Sequence, residues 1–254
     1  MRDPCISPGE GIRSTVGRKR LDGADCTYLV SAVDSGNIQR RKSIRDGQGM
    51  GLAFGTREER YRRSITTLPA DDSWALARCL ADGQTGCCDA LMASLGSPPP
   101  LIVWDPPVDD LESEALRHLV GWWHTSVAEA GGPPPPEMVD PLALRPALGS
   151  VSLLDVLDEG REFQMRLHGS DVSTTLGMDM TGMKVGEMTV PFMAFLIVTY
   201  RAQLLRPEPL LLRYTPAMEF FLSAWWRIGL PLMRDGKVVR LLIGMERAPR
   251  QPEL

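Results

Sequence analysis

Prolines fix where helices can stop and start in the second half of this chain. Pro133 to Pro136 follow Gly131 and Gly132 and bar a preceding helix from resuming. Pro191 favours the opening of a new helix, and Pro207 with Pro209 end it near Arg206. Between these marks the apolar pattern changes period. Glu162 to His168 alternates, with Phe163, Met165 and Leu167 on one side and Gln164, Arg166 and His168 on the other, as a half-buried strand does. Ser150 to Leu157 reads as a second strand, joined to the first through Asp158, Glu159 and Gly160. After Pro209, three further runs read as strands: Leu210 to Thr215, Phe220 to Met233 and Lys237 to Arg247. Arg234, Asp235 and Gly236 close the last two into a tight hairpin.

Upstream, Asp109 and Glu112 have capping-box spacing, and Leu116, Leu119, Val120, Trp123 and Val127 then share one helical stripe. The spacing predicts a helix from Asp110 to Ala130. The resulting order is helix, two strands, short helices, one longer helix and three strands. An α+β fold satisfies it, with a five-stranded antiparallel sheet and helices on one face. The expected divisions are a low-order extension with a Pro-rich linker over 1–108, the helix over 109–132, the sheet domain over 133–248 and a tail over 249–254.

The first part is dense in Gly, Arg, Asp and Ser and shows little apolar periodicity, so it reads as largely unfolded. One exception lies between Asp71 and Leu95, where Asp72 or Ser73 would cap a short helix carrying Trp74, Leu76, Ala77 and Leu80, stopped by Gly83. Basic clusters at Arg18 to Arg20, Arg40 to Lys42 and Arg60 to Arg63 are interspersed with acids, and only Tyr61 offers a stacking ring beside them. A solvated tail is favoured over a nucleic-acid contact. Cys87 and Cys88 have neither CxxC spacing nor a neighbouring histidine, so no metal site is expected. The Gly-rich run Asp46 to Gly51 lacks the Gly-Lys-Ser/Thr of a phosphate-binding loop. Met92 opens a stretch that would serve equally well as a chain start. No apolar run approaches the roughly 20 residues of a bilayer span, no signal-type segment opens the chain, and the net charge is -4. These features predict a cytoplasmic protein without a membrane partner, and a net charge of this sign gives no overall field for nucleic acid.

The element order, together with Asp140-Pro, Leu153-Leu-Asp-Val, Phe163-Gln-Met-Arg-Leu-His-Gly-Ser, Leu176-Gly-Met-Asp-Met-Thr-Gly, Gly186-Glu-Met, Gly229-Leu-Pro-Leu and Asp235-Gly, resembles the PAS sensory domain. More narrowly, it resembles a bacterial PAS subfamily that often occurs as the only domain of short proteins. The resemblance covers about 112–247, and Ala224-Trp-Trp-Arg departs from it where a polar ring is the rule. It implies strand order 2-1-5-4-3 and a cleft between the sheet and the helix from Pro191 to Arg206. It also implies a sensory or interaction module that acts by docking on a partner, without an output domain of its own. Haem in such domains hangs from the long helix, and Phe192 to Leu205 contains no histidine. Flavin photochemistry needs a cysteine there, and none follows Cys88. No cofactor is expected.

Alternation supplies the expected lining of that cleft. Phe163, Met165 and Leu167, then Trp226, Ile228 and Leu230, then Val239, Leu241, Ile243 and Met245 are assigned to one face. Phe192, Phe195, Leu196 and Thr199 form the helix side that closes over it, giving an apolar pocket that a small apolar ligand would fill. A filled core without a cavity is the competing reading, because close packing is the default for interiors. The opposite face collects Asp155, Arg166, Arg227 and Arg240 as an ion-pair row. Leu116, Leu119, Trp123 and Val127, with Trp225, are expected to form a homodimer interface or to lie against that outer face. Ser170, His168 and Asp171 could be assembled into a Ser-His-acid set only on paper, because neighbours on an extended strand point apart. No enzymatic motif is present, and no catalysis is expected. Three readings follow: a sensory or interaction module working as a homodimer or on a signalling protein, a small-molecule receptor, and a weak nucleic-acid binder using the basic tail.

Overall fold

The computed structural model describes residues 68–188, 192–215 and 224–248. Six antiparallel strands form one sheet: β1 (Leu101–Trp104), β2 (Val151–Leu157), β3 (Glu162–Leu167), β4 (Leu210–Tyr214), β5 (Trp225–Arg234) and β6 (Lys237–Arg247). Their order is β1-β4-β5-β6-β2-β3. The α+β class and the antiparallel sheet stand, whereas the strand count and order differ from expectation. The added strand is β1, which pairs with β4 at the sheet edge, Leu101 opposite Arg213 and Trp104 opposite Leu210. It lies between proline clusters, which bar a helix but not a short edge strand.

Helices cover both faces of the sheet rather than one. On the inner face lies α5 (Met193–Leu205), with α4 (Ser170–Leu176) beside the end of β3. On the outer face lies α3 (Glu114–Ala130), which carries Leu116, Leu119, Val120 and Trp123 into a second apolar core with Leu211, Ile228, Leu230, Leu232 and Leu242. Its true N-cap is Ser113, whose hydroxyl accepts the Leu116 N–H at 3.1 Å; the Asp109 region forms a separate 3-10 turn over Val108–Asp110. Gly131, at a positive φ of 73°, ends the helix as glycine can do without strain. No helix among the described residues is long and apolar enough to cross a membrane.

Part of the stretch expected to be low in order is packed into the protein. Helices α1 (Ala70–Ala81) and α2 (Gly86–Ser94) place Leu76, Leu80, Cys87, Cys88, Leu91 and Met92 in the inner core beneath α5. Helix α1 begins after Pro69, so Asp72 and Ser73 lie inside its first turns and cap nothing. Arg201 of α5 fastens this layer. Its guanidinium donates to the carbonyls of Gly160 (3.0 Å), Arg161 (3.2 Å) and Ala70 (3.4 Å) and stands 5.0 Å from the Trp74 ring centre. With apolar layers on both sides, α5 is buried all round, which hides any amphipathic stripe. The basic clusters, the Gly-rich run and Pro191 lie outside the described residues.

The face assignment of β5 is reversed from expectation, and one residue accounts for it. At the Asp235-Gly236 turn, Arg234 pairs with Lys237 and Met233 with Val238. A bulge then intervenes, so that Leu232 pairs with Arg240, Ile228 with Gly244 and Gly229 with Ile243. A plain hairpin would pair Ile228 with Ile243 and turn both inward. The extra residue flips every later side chain of β5 relative to β6. Trp226 and Ile228 therefore join the outer core, while Trp225 and Arg227 face inward.

Candidate functional site

A cavity between the inner sheet face and α5 offers about 80 Å³ to the centres of water-sized atoms. Strands β2, β3, β4, β5 and β6 form its floor, α5 its roof, and the segment from His168 to Met188 one wall. Five methionines line it: Met165, Met180, Met188, Met193 and Met245. Unbranched, polarisable thioethers adapt to differently shaped contents better than branched aliphatics do. Phe192, Leu196, Trp225 and Ile243 add apolar surface, and among the described residues the polar lining is Ser152, His168, Tyr200, Tyr214 and Arg227.

Arg227 organises the polar end. It is 6% exposed. One of its terminal nitrogens donates to the Tyr200 hydroxyl, and the other approaches the Met245 sulfur at 3.6 Å. The Tyr214 hydroxyl lies within the same hydrogen-bonding group. Burial pushes both phenols above their ordinary range, and Arg227 only partly offsets this. Both rings are therefore neutral at physiological pH and give the guanidinium dipoles without a countercharge.

His168 occupies the opposite wall and is also buried. Its Nδ1 accepts the Met180 N–H at 3.4 Å and lies 2.9 Å from the Ser173 hydroxyl. A backbone N–H can only donate, which assigns the neutral ring's proton to Nε2. Burial lowers the pKa of the ring, Asp179 opposes the shift, and Arg227 adds to it. Ser173 and Asp179 both approach Nδ1, the latter at 4.0 Å. A Ser-His-acid relay needs them at opposite ring nitrogens. Ser170 bonds to Asp171 at 3.4 Å. Among the described residues no cluster of His, Cys, Asp and Glu is placed to hold a metal ion.

Of the residues expected to line the cleft, Met165, Phe192, Leu196 and Ile243 do so. Phe163, Phe195 and Leu241 belong to the inner core without bordering the cavity, and Thr199 is buried with its hydroxyl donated to the Leu196 carbonyl at 2.8 Å. Leu167 is 43% exposed, at the C-terminal end of edge strand β3, where it pairs with Leu153. Trp226 and Ile228 lie on the other face of the sheet. Among the expected interface residues, Leu116, Leu119 and Trp123 are buried against the chain's own sheet, with Val127 packed beside them. Trp225 lines the cavity. Leu116, Leu119, Trp123 and Trp225 thus present no open surface to a second copy, and Val127 is half-buried. Asp155 accepts from Arg240 Nε at 2.5 Å and from Arg166 at 3.4 Å, while Arg227, assigned to the same row, stands on the opposite face.

Comparison with family models, curated proteins and solved structures finds no match. Sequence reasoning missed Arg227, Trp225, Tyr200, Tyr214, His168 and Ser152. For Tyr200 a signal was present, since Phe192, Leu196 and Tyr200 follow one another at i+4.

Proposed function

We propose that this chain is a PAS-type sensory and protein-interaction module whose signal is a small molecule held between α5 and the sheet. The observation that carries this reading is the cavity, with its methionine walls and its few polar groups gathered at defined positions. Close packing is the rule for interiors, and an apolar cavity bearing a few polar groups is the form a small-ligand site takes. Occupancy would shift α5, which contacts both the sheet and the α1–α2 layer, and that layer would relay the change to a partner.

The receptor form of this reading is favoured over a ligand-free adaptor because the surface proposed for self-association is used internally. Native mass spectrometry of the chain isolated from its host tests it. A co-purifying small molecule at one per chain, released on unfolding, is the expected result. An empty chain that remains unresponsive to small organic molecules would reject it.

A further inference from the structure

We infer that the ligand is a small monocarboxylate with a short apolar body, its carboxylate seated against Arg227 and the Tyr200 and Tyr214 hydroxyls. This rests on the cavity being a ligand site and goes on to name the ligand's chemistry.

A buried guanidinium is costly unless it is paired, and buried arginines are normally found with a carboxylate. Arg227 is 6% exposed, yet no ion pair joins it to an acid among the described residues. Its polar neighbours are two neutral phenols and a thioether. They do not fill the five N–H donors of a guanidinium. Arg201, equally buried, provides the contrast, because three backbone carbonyls receive its donors. Among the described residues no carbonyl receives a donor from Arg227, and its side chain borders the cavity.

The geometry selects the anion. One guanidinium matches one carboxylate in a planar, two-pronged contact, and the adjoining hydroxyls supply further donors to the same oxygens. A phosphate carries more charge than this single cation answers. Apart from Ser152 and the imidazole of His168, which burial holds neutral, the remaining described lining is apolar, from Met165, Met193 and Ile243 through Phe192 and Leu196 to Trp225. That surface rewards a hydrocarbon body and gives a second charge no partner. The open volume of about 80 Å³ is roughly half the 150 Å³ of an apolar cavity that admits benzene. A body of a few carbons fits without rearrangement, and larger ones require the methionines to move.

The test uses the full chain with sodium acetate, butyrate, hexanoate and benzoate against the corresponding neutral amides, with sodium chloride matched throughout. Melting temperature and the emission of Trp225, which borders the cavity, are the readouts. Butyrate is expected to raise the melting temperature and to bind about tenfold or more tightly than butyramide, as a hydrogen-bonded charge contact requires. Arg227→Gln should abolish that preference and leave the amide affinity unchanged. Should this variant fail to fold, Arg227→Lys replaces it, since an ammonium keeps the charge but loses the two-pronged contact and should weaken butyrate selectively. Equal binding of acid and amide, a preference that survives both substitutions, or the same stabilisation by chloride alone would each overturn the inference while leaving the receptor reading intact. If no acid and no amide alters either readout, the ligand-site reading itself falls.

Discussion

Gln203 of α5 lies against the backbone of Gly229 in β5 and donates its amide Nε2 to the Gly229 carbonyl at 2.8 Å. The same nitrogen donates to the Glu208 carbonyl at 3.1 Å, so the side chain is held from two sides. A Cβ on Gly229 would press on this amide, 2.9 Å from its Cδ. The amide cannot move away without leaving buried carbonyls unpaired. Gly229→Ala is predicted to destabilise the protein by about 1–3 kcal/mol, the range for overpacking a close-packed interior. Urea denaturation should show a lower midpoint at unchanged slope. Combining it with Gln203→Ala should cost less than the two single losses together, because the residues touch.

That contact also shows where the sequence was legible and where it was not. Glu162 to Leu167 could be read because one flank of β3 meets solvent, leaving the apolar alternation visible. Strand β5 (WWRIGLPLMR) is covered by α5 on one face and α3 on the other, so both sets of side chains are apolar and period two loses its meaning. Only register could have decided its faces, and the bulge opposite Leu232 and Met233 reversed the register. Arginine is normally a surface residue, a statistical habit that hid Arg227. Helix α1 was legible from Trp74, Leu76, Ala77 and Leu80 before Gly83, but α2 and the packing of both against α5 were not, because α5 has no polar side to reveal that something covers it. Among the cavity residues, those on the cleanly alternating β3 and β6 were legible, and those on β5 were not.

Leu76 and Leu80 are buried in the inner core beneath α5, and Trp104 Nε1 ties β1 to the Leu80 carbonyl at 3.1 Å. Leu80→Ala is predicted to lose about 2–5 kcal/mol, the range for emptying a buried leucine site. A chain started at Met92 would lack α1 and most of α2 and expose the underside of α5. It should melt without cooperativity, bind a hydrophobic dye and aggregate. A sharp, reversible calorimetric transition from such a chain would show that the α1–α2 layer is dispensable.

On the outer face, Gly244 lets α3 approach the sheet so closely that a Cβ there would lie 2.5 Å from Leu119 Cδ1 and 2.8 Å from Leu116 Cδ2. Leu116→Glu is accordingly predicted to unfold the domain by burying an unpaired charge. Circular dichroism and thermal melting measure this directly. A variant that melts normally but sediments more slowly would mean that α3 is an exposed interface. Trp123→Phe is the milder probe. It removes the Nε1–H donated to Pro231 at 3.0 Å and should cost about 1 kcal/mol.

The last prediction concerns pH. His168 is held neutral in the folded chain: burial lowers its pKa, and Nδ1 is occupied by the Met180 N–H. In the unfolded chain the ring titrates near the ordinary value of about 6.5. A folded pKa below the unfolded one means that the unfolded state binds the proton more readily. The histidine's contribution to stability is therefore complete above about pH 6.5 and is lost as pH falls through the lower folded value. Asp179 opposes the shift and Arg227 reinforces it. Melting midpoints measured between about pH 7.5 and 5 should decline at the acid end for the wild-type chain. His168→Gln, which can still accept from Met180 but does not titrate, should flatten that part of the decline. Asp179→Asn should steepen it, because the charge that eases protonation in the fold is gone. Parallel profiles for all three chains would show that His168 takes up its proton equally well folded and unfolded, and that the wall of the cavity does not exclude the charge.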